Sequence, residues 1–369
     1  MWEDSFTVAM RHYSLIIYLF FAILGGASCS EEEEILPYAF KSNVLYVEST
    51  MEIPRRSEGD VLRVNDSTLL MVYTKFLDGY KDHNSAVLVK RISYDKGVTW
   101  SEEEDFIGGE SLMNVMSASL LLLPDERIAL FYLVKNSTED CYPVVRFSDD
   151  KGATWTAPKN CIKPFKGYYV MNNARAVLLS TGRIILPVAS YTFSGGVLNS
   201  QGTIRCFYSD DGGMTWKVGN SLPKQDIIAQ EPGIIELLDG RLLMYMRTDQ
   251  GVQYFSYSQN EGVTWSKAEN STLKSPLSPA TLERNPYTQE IVAVWNNSET
   301  ERMPLCLAIS QDEAINWIDK CYLENVPEYS ACYSAIEFLS EDLALVLYSI
   351  APKEQWGLGN LKLVLVHLN

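Results

Sequence analysis

Histidine is scarce in this chain: His12, His83 and His367 are the only three among 369 residues. No CxxC pair accompanies them, so the ligands of a zinc site are missing and no metal is expected. GxGxxG, GxxxxGK(S/T) and GxSxG are also absent, which removes the signatures of dinucleotide, P-loop and serine-hydrolase sites; no cofactor is expected. Basic charge is short too. With 31 Lys+Arg against 47 Asp+Glu, the formal net charge of −16 offers no footprint for nucleic acid. What is present is apolar mass, 46% hydrophobic, in a chain too rich for disorder and too long to depend on disulfide staples.

The first thirty residues read as an address. The apolar run Leu15–Leu24 is too short to span a bilayer comfortably; Arg11 precedes it and Gly25-Gly26-Ala27-Ser28-Cys29 follows. That is the layout of a secretory signal over 1–29. Small residues before Cys29 resemble a bacterial lipobox, in which this cysteine carries the lipid anchor; the alternative is cleavage after Ala27 with Cys29 incidental. The acidic tract Ser30–Glu34 opens a linker over 30–42 and resembles that of surface-exported lipoproteins in Bacteroidetes-like bacteria. The expected location is exported: outer-membrane lipoprotein, periplasmic or cell-surface. Six cysteines remain (Cys141, Cys161, Cys206, Cys306, Cys321, Cys332), without framework spacing, and read as small buried hydrophobes with a Cys306–Cys321 pair open.

Five segments share a pattern: Ser93–Trp100, Ser148–Trp155, Ser209–Trp216, Ser258–Trp265 and Ser310–Trp317, starting 55, 61, 49 and 52 residues apart. Each has an Asp or Asn at its third position to accept backbone N–H groups, and a Trp at its end to bury between sheets. Four have Gly at the fifth position, where a left-handed turn suits it; the last has Ala314, so that turn is expected to be strained or differently shaped. These boxes read as structural.

Six apolar strands form a second repeat, starting at Leu69, Ile128, Ile184, Leu242, Ile291 and Leu343, each after a turn and an earlier apolar stretch. Four-stranded units about every 55 residues predict an all-β fold over 43–369, a six-bladed β-propeller with four antiparallel strands per blade. The last unit has no box; Leu361–Leu368 is expected as its third strand, with Asn43–Ser49 supplying the fourth and closing the ring.

In such a fold the boxes lie on one face, and the starts of the first strands lie on the other. Those starts read as Arg56, Asn114, Asn173, Glu231, Ser278 and Tyr333; Arg247, Asp82 with His83, and Arg302 reach the same mouth. Three arginines on the axis of an acidic protein point to a small carboxylate held by guanidinium contacts.

These residues resemble the bacterial sialidase (neuraminidase) family, glycoside hydrolase family 33, from about Glu48 to the C-terminus: the boxes look like its Asp-boxes. Arg56, Asp82, Glu231 sixteen residues before Arg247, Arg302 and Tyr333 occupy the family's functional slots in order. The resemblance implies an exo-acting glycosidase releasing a terminal α-linked acidic sugar with retention. Arg56, Arg247 and Arg302 would clamp the sugar carboxylate. Tyr333, activated by Glu231, would be the nucleophile, and Asp82, with a raised pKa, the acid/base. Arg55 stands as an alternative to Arg56, and Arg284 as an alternative or supplement to Arg302. Ser349 occupies the slot where the family has a Glu that orients the first arginine; Glu58 is a candidate substitute. Action on another carboxylated sugar, and sialoglycan binding without turnover, are the remaining readings. The expected partner is an acidic glycan, and the expected state a monomer.

Overall fold

The computed structural model describes residues 41–194, 197–355 and 357–368. The expected signal peptide, Cys29 and nearly all of the acidic linker lie outside the described residues. Within them the fold is all-β, and the only helical turn is the 3-10 segment Lys353–Gln355.

The first sheet runs Arg55–Arg63, Leu69–Phe76, Ala86–Ser93, Glu104–Ile107, each strand antiparallel to the one before. Two later sheets repeat this order, starting at Ala229–Glu236 and at Thr281–Arg284. Between them lies a nine-stranded sheet, whose two halves are joined by a parallel bridge from Cys141 to Tyr168. The last sheet places Tyr329–Ser340 beside Leu343–Pro352 and then Asn360–His367; the N-terminal strand Lys41–Val47 completes it, antiparallel to Asn360–His367.

The second strand of each unit is apolar on both sides because it serves two cores. Leu242, Met244 and Met246 pack against the preceding unit, while Leu243 and Tyr245 pack against the following one. Ile291 and Ala293, then Val292 and Val294, repeat this split. The core between first and last units joins Val61, Leu69 and Met71 to Leu345, Leu347 and Leu363. Cys306 and Cys321 illustrate the same rule. Cys306 packs into one core and Cys321, opposite Leu307, into the other, so they point to opposite faces of the sheet and the pairing left open by the sequence is not made.

Two strand starts differ from expectation. The inner strand of the third unit is split into Tyr168–Val170 and Val177–Leu178; Asn173 lies in the gap, where its amide donates to the carbonyls of Gly59 (2.8 Å), Tyr333 (3.3 Å) and Ser334 (3.4 Å). Ser278 precedes its strand and bonds Asn296 Oδ1 at 2.7 Å.

The five boxes connect third to fourth strands, at the opposite end of each sheet from Arg55 and its equivalents. In the first, Asp95 accepts from Thr99 N (2.9 Å) and Thr99 Oγ1 (2.6 Å), and Gly97 N donates to Ser93 Oγ at 2.8 Å. The Thr99 hydroxyl and amide hold the Asp95 carboxyl down to about 2. Ala314 keeps the shared geometry: its N–H reaches Ser310 Oγ at 2.9 Å and its φ is 66°, where Gly97 has 88°. The fifth turn therefore has the same shape as the others, and the strain sits in one alanine. Ala314→Gly is expected to raise stability by up to about 1 kcal/mol in chemical denaturation, because left-handed Ala costs roughly 1–2 kcal/mol while Gly loses more chain entropy.

Further along the inner strands, toward the boxes, a cavity of ≈ 510 Å³ is lined by Asp60, Glu283 and Glu337. Burial pushes Asp60 up to about 7, and Glu283 and Glu337 up to about 8. Each carboxyl binds its proton more tightly folded than unfolded. Their contribution is complete below about pH 4 and is lost as pH rises through 7 to 8. The urea midpoint is expected to fall across that window, and Glu283→Gln with Glu337→Gln to flatten the fall.

Candidate active site

A one-residue bulge recurs in the inner strands. The register slips between Ser57 and Asp60, Met116 and Ser119, Gln230 and Gly233, and Cys332 and Ala335. The residue thrown out is left-handed each time: Glu58 (φ 53°), Ser117 (61°), Glu231 (46°) and Tyr333 (56°). Ala174 (51°) adopts the same conformation in the gap of the third unit. A left-handed non-Gly residue costs on the order of 1–3 kcal/mol, so five at one level of the fold mark a place where side chains are re-aimed. Glu58, Ser117, Glu231 and Tyr333 line one cavity of ≈ 130 Å³, together with Asp82 and Arg247.

Tyr333 is 8% exposed, and its hydroxyl donates to Glu231 Oε1 at 3.3 Å. The same oxygen lies 3.1 Å from Arg247 Nη2, which also donates to Gln230 Oε1 at 2.7 Å. Arg302 sits over the Tyr333 ring, 5.7 Å from its centroid. Burial, and then the Glu231 charge, push the phenol far above its ordinary range, so Tyr333 is neutral. Among the described residues, Glu231 Oε2 and Arg247 Nε are buried with no hydrogen-bond partner, leaving one acceptor and one donor open to a ligand.

The arginine pair at the first strand resolves by alternation. Arg55 is fully buried and turns into the cavity wall: Nη1 donates to Asp82 Oδ1 at 2.7 Å, and Nη2 lies 3.1 Å from Glu58 Oε1. Arg56, on the other face of the strand, donates instead to Glu103 Oε2 at 2.8 Å and to the Glu48 carbonyl at 2.9 Å. Arg56 is thus not with the other five sequence-derived residues, and Arg55 is. Arg284 is elsewhere, bridged to Glu313 at 2.9 Å. Ser349 faces Cys332 across the last sheet, while Glu58 occupies the side of Arg55.

Asp82 lies on a loop pinned through its backbone carbonyl, which accepts from Lys135 Nζ (2.8 Å) and Asn114 Nδ2 (2.9 Å). The surrounding protein opposes its charge although the side chain is exposed at the cavity rim, and Arg55 more than offsets this and holds the carboxyl below the usual range. The sequence leads to the expectation of a raised Asp82; the direction is the opposite, because Arg55 lies against it. Burial instead lifts Glu58 to about 7. Lys135 and the placement of Glu58 as a bulge residue escaped the sequence reading. A signal existed: counting back eleven residues from Leu69, Ile128 and Leu242 lands on Glu58, Ser117 and Glu231.

Removing Arg55 strands the buried Glu58, whereas removing Arg56 leaves Glu103 with Tyr73 (2.7 Å) and Lys75 (3.3 Å). Arg55→Met is expected to cost about 3 kcal/mol, Arg56→Met about 1 kcal/mol or less, and adding Glu58→Met to Arg55→Met to recover part of the loss. Urea denaturation of these variants, of Glu58→Met alone and of the wild type measures the cycle.

Comparison with known proteins places this arrangement. A sialidase of Bacteroides fragilis is 25% identical over 218 residues, covering 56% of this chain and 39% of that protein. A sialidase of Clostridium perfringens is 25% identical over 265 residues, covering 64% and 65%. The chain thus spans between about two fifths and two thirds of these relatives. Among solved structures, a Dyadobacter fermentans protein of unknown function superposes with a TM-score of 0.71 at 17% identity, covering 89% of this chain and 99% of that one. The NanB sialidase from Streptococcus pneumoniae superposes with 0.70 at 15% identity, covering 90% and 71%. At those identities the likeness speaks for the fold. Residues 109–343 match the BNR repeat-like domain family, and the chain belongs to that family.

Proposed function

We propose that the chain is an exo-acting glycosidase that releases a terminal α-linked sialic acid, or a closely related acidic sugar, with retention. The observation that carries this reading is the Tyr333–Glu231–Arg247 contact, with Arg302 against the same ring. The proposal includes a closed six-bladed propeller, supported by six cores that each join two successive units, the last unit to the first among them. It also includes export, with a lipid anchor at Cys29.

The substrate carboxylate is held by Arg247 and Arg302, with Arg55 in place of Arg56. Tyr333 Oη attacks the anomeric carbon and passes its proton to Glu231 as the bond forms, while Asp82 gives a proton to the leaving glycosidic oxygen. Water, losing its proton to Asp82, then displaces the phenolate oxygen, which recovers its proton from Glu231. A neutral phenol suits this centre. A carboxylate nucleophile would meet the substrate's own carboxylate at close range, whereas the phenol develops its charge only as the bond forms, beside two guanidinium groups.

Turnover of an aryl α-sialoside tests this. Tyr333→Phe is expected to reduce kcat by at least about 10³-fold. Asp82→Ala is expected to reduce it by about 10²–10⁴ on a natural disaccharide and far less on an aryl glycoside, whose leaving group needs little protonation. Activity unaffected by Tyr333→Phe overturns the mechanism; hydrolysis of uronides and not sialosides moves the reading to another carboxylated sugar.

A further inference from the structure

Three of the five N–H donors of Arg55 are engaged within the protein, and Nη2 has no hydrogen-bond partner among the described residues. Nε donates to Ser57 Oγ at 2.7 Å, and Nη1 to the Tyr80 carbonyl at 3.0 Å and to Asp82 Oδ1 at 2.7 Å, while Nη2 faces Glu58 at 3.1 Å. Its two carboxylate partners are unlike. The Glu58 side chain is 5% exposed, is thrown inward by a bulge and accepts from Ser117 Oγ at 3.3 Å, so it is fixed. The Asp82 side chain is 56% exposed, and its loop is anchored through the backbone by Lys135 and Asn114, so the carboxylate can rotate without moving the loop. Of the two, Asp82 is the exchangeable partner.

We propose that the Arg55–Asp82 contact is a latch opened by a carboxylated ligand: the ligand's carboxylate replaces Asp82 on Arg55 Nη1, and the released Asp82 takes one proton from solvent. This deepens the glycosidase reading and rests on it. The titratable and charged groups facing Asp82 are Arg55 and Glu58 from the first unit, Lys135 and Cys141 from the second, Tyr168 from the third, His83 on its own loop, and Glu231, Arg247 and Tyr333 across the cavity. With the latch closed, Arg55 keeps Asp82 ionised, the wrong state for a proton donor. Once a ligand anion occupies Arg55, Asp82 loses its strongest attraction and gains a neighbour of like charge; both changes favour the protonated acid. The acid is therefore charged with its proton by the feature that identifies a substrate. A neutral glycoside leaves the latch shut and Asp82 without a proton to give, so discrimination appears in kcat as well as in KM.

The experiment is calorimetric titration of the full chain with 2,3-dehydro sialic acid, a carboxylated analogue that cannot be cleaved, in buffers of different ionisation enthalpy between about pH 5 and 7. The slope of observed against buffer enthalpy counts protons. Uptake approaching one proton per ligand, lost in Asp82→Asn and kept in Glu58→Gln, supports the latch. Binding with no uptake, or uptake that survives Asp82→Asn, overturns it and leaves the glycosidase reading standing. No binding at all overturns that reading and the latch with it.

Discussion

The second strand of each repeated unit is apolar on both faces, and that constraint organises everything else. A strand such as Leu242–Thr248 cannot leave either side to water, so its sheet needs a neighbour on each flank. Repeated unit after unit, the requirement stacks the sheets side by side, and it is met at the ends by packing Val61 and Met71 of the first unit against Leu345 and Leu347 of the last. The inner strands then converge, and their bulges face a common space.

Convergence alone does not make a site. The inner strands differ in what the bulge throws inward: carboxylates at 58 and 231, hydroxyls at 117 and 333. The same backbone device thus presents different chemistry at positions related by the repeat, and the strain is borne where the side chains are used. The arginines enter from a different layer, at the mouth ends of the strands, where each meets a carboxylate or an aromatic ring already in place.

The repeats were legible because they are local. A serine, an aspartate and a tryptophan at fixed offsets specify a box whatever surrounds it, and an unbroken apolar run specifies a strand buried on both sides. The N-terminal strand beside Asn360–His367 was legible by elimination, as the one partner left for a three-stranded unit. Arg55 and Arg56 could not be separated by the motif, since adjacent residues of a strand face opposite ways and the bulge that fixes their register was not visible in it. Glu58 was within reach of a simple count from the second strand. Lys135 showed only as a lone cation closing an apolar strand, and the state of Asp82 depends on a guanidinium 27 residues away, which no local pattern announces.

Tyr333 belongs to a sheet that is finished only when Lys41–Val47 meets Asn360–His367. Contacts of such long sequence separation form late, after the loops they close have been held together by everything else. Assembly of the pocket is therefore tied to that pairing: a nascent product that stops before Tyr333 holds Glu58 and Glu231 without the phenol, and the sheet around the phenol stays open until Lys41–Val47 meets Asn360–His367.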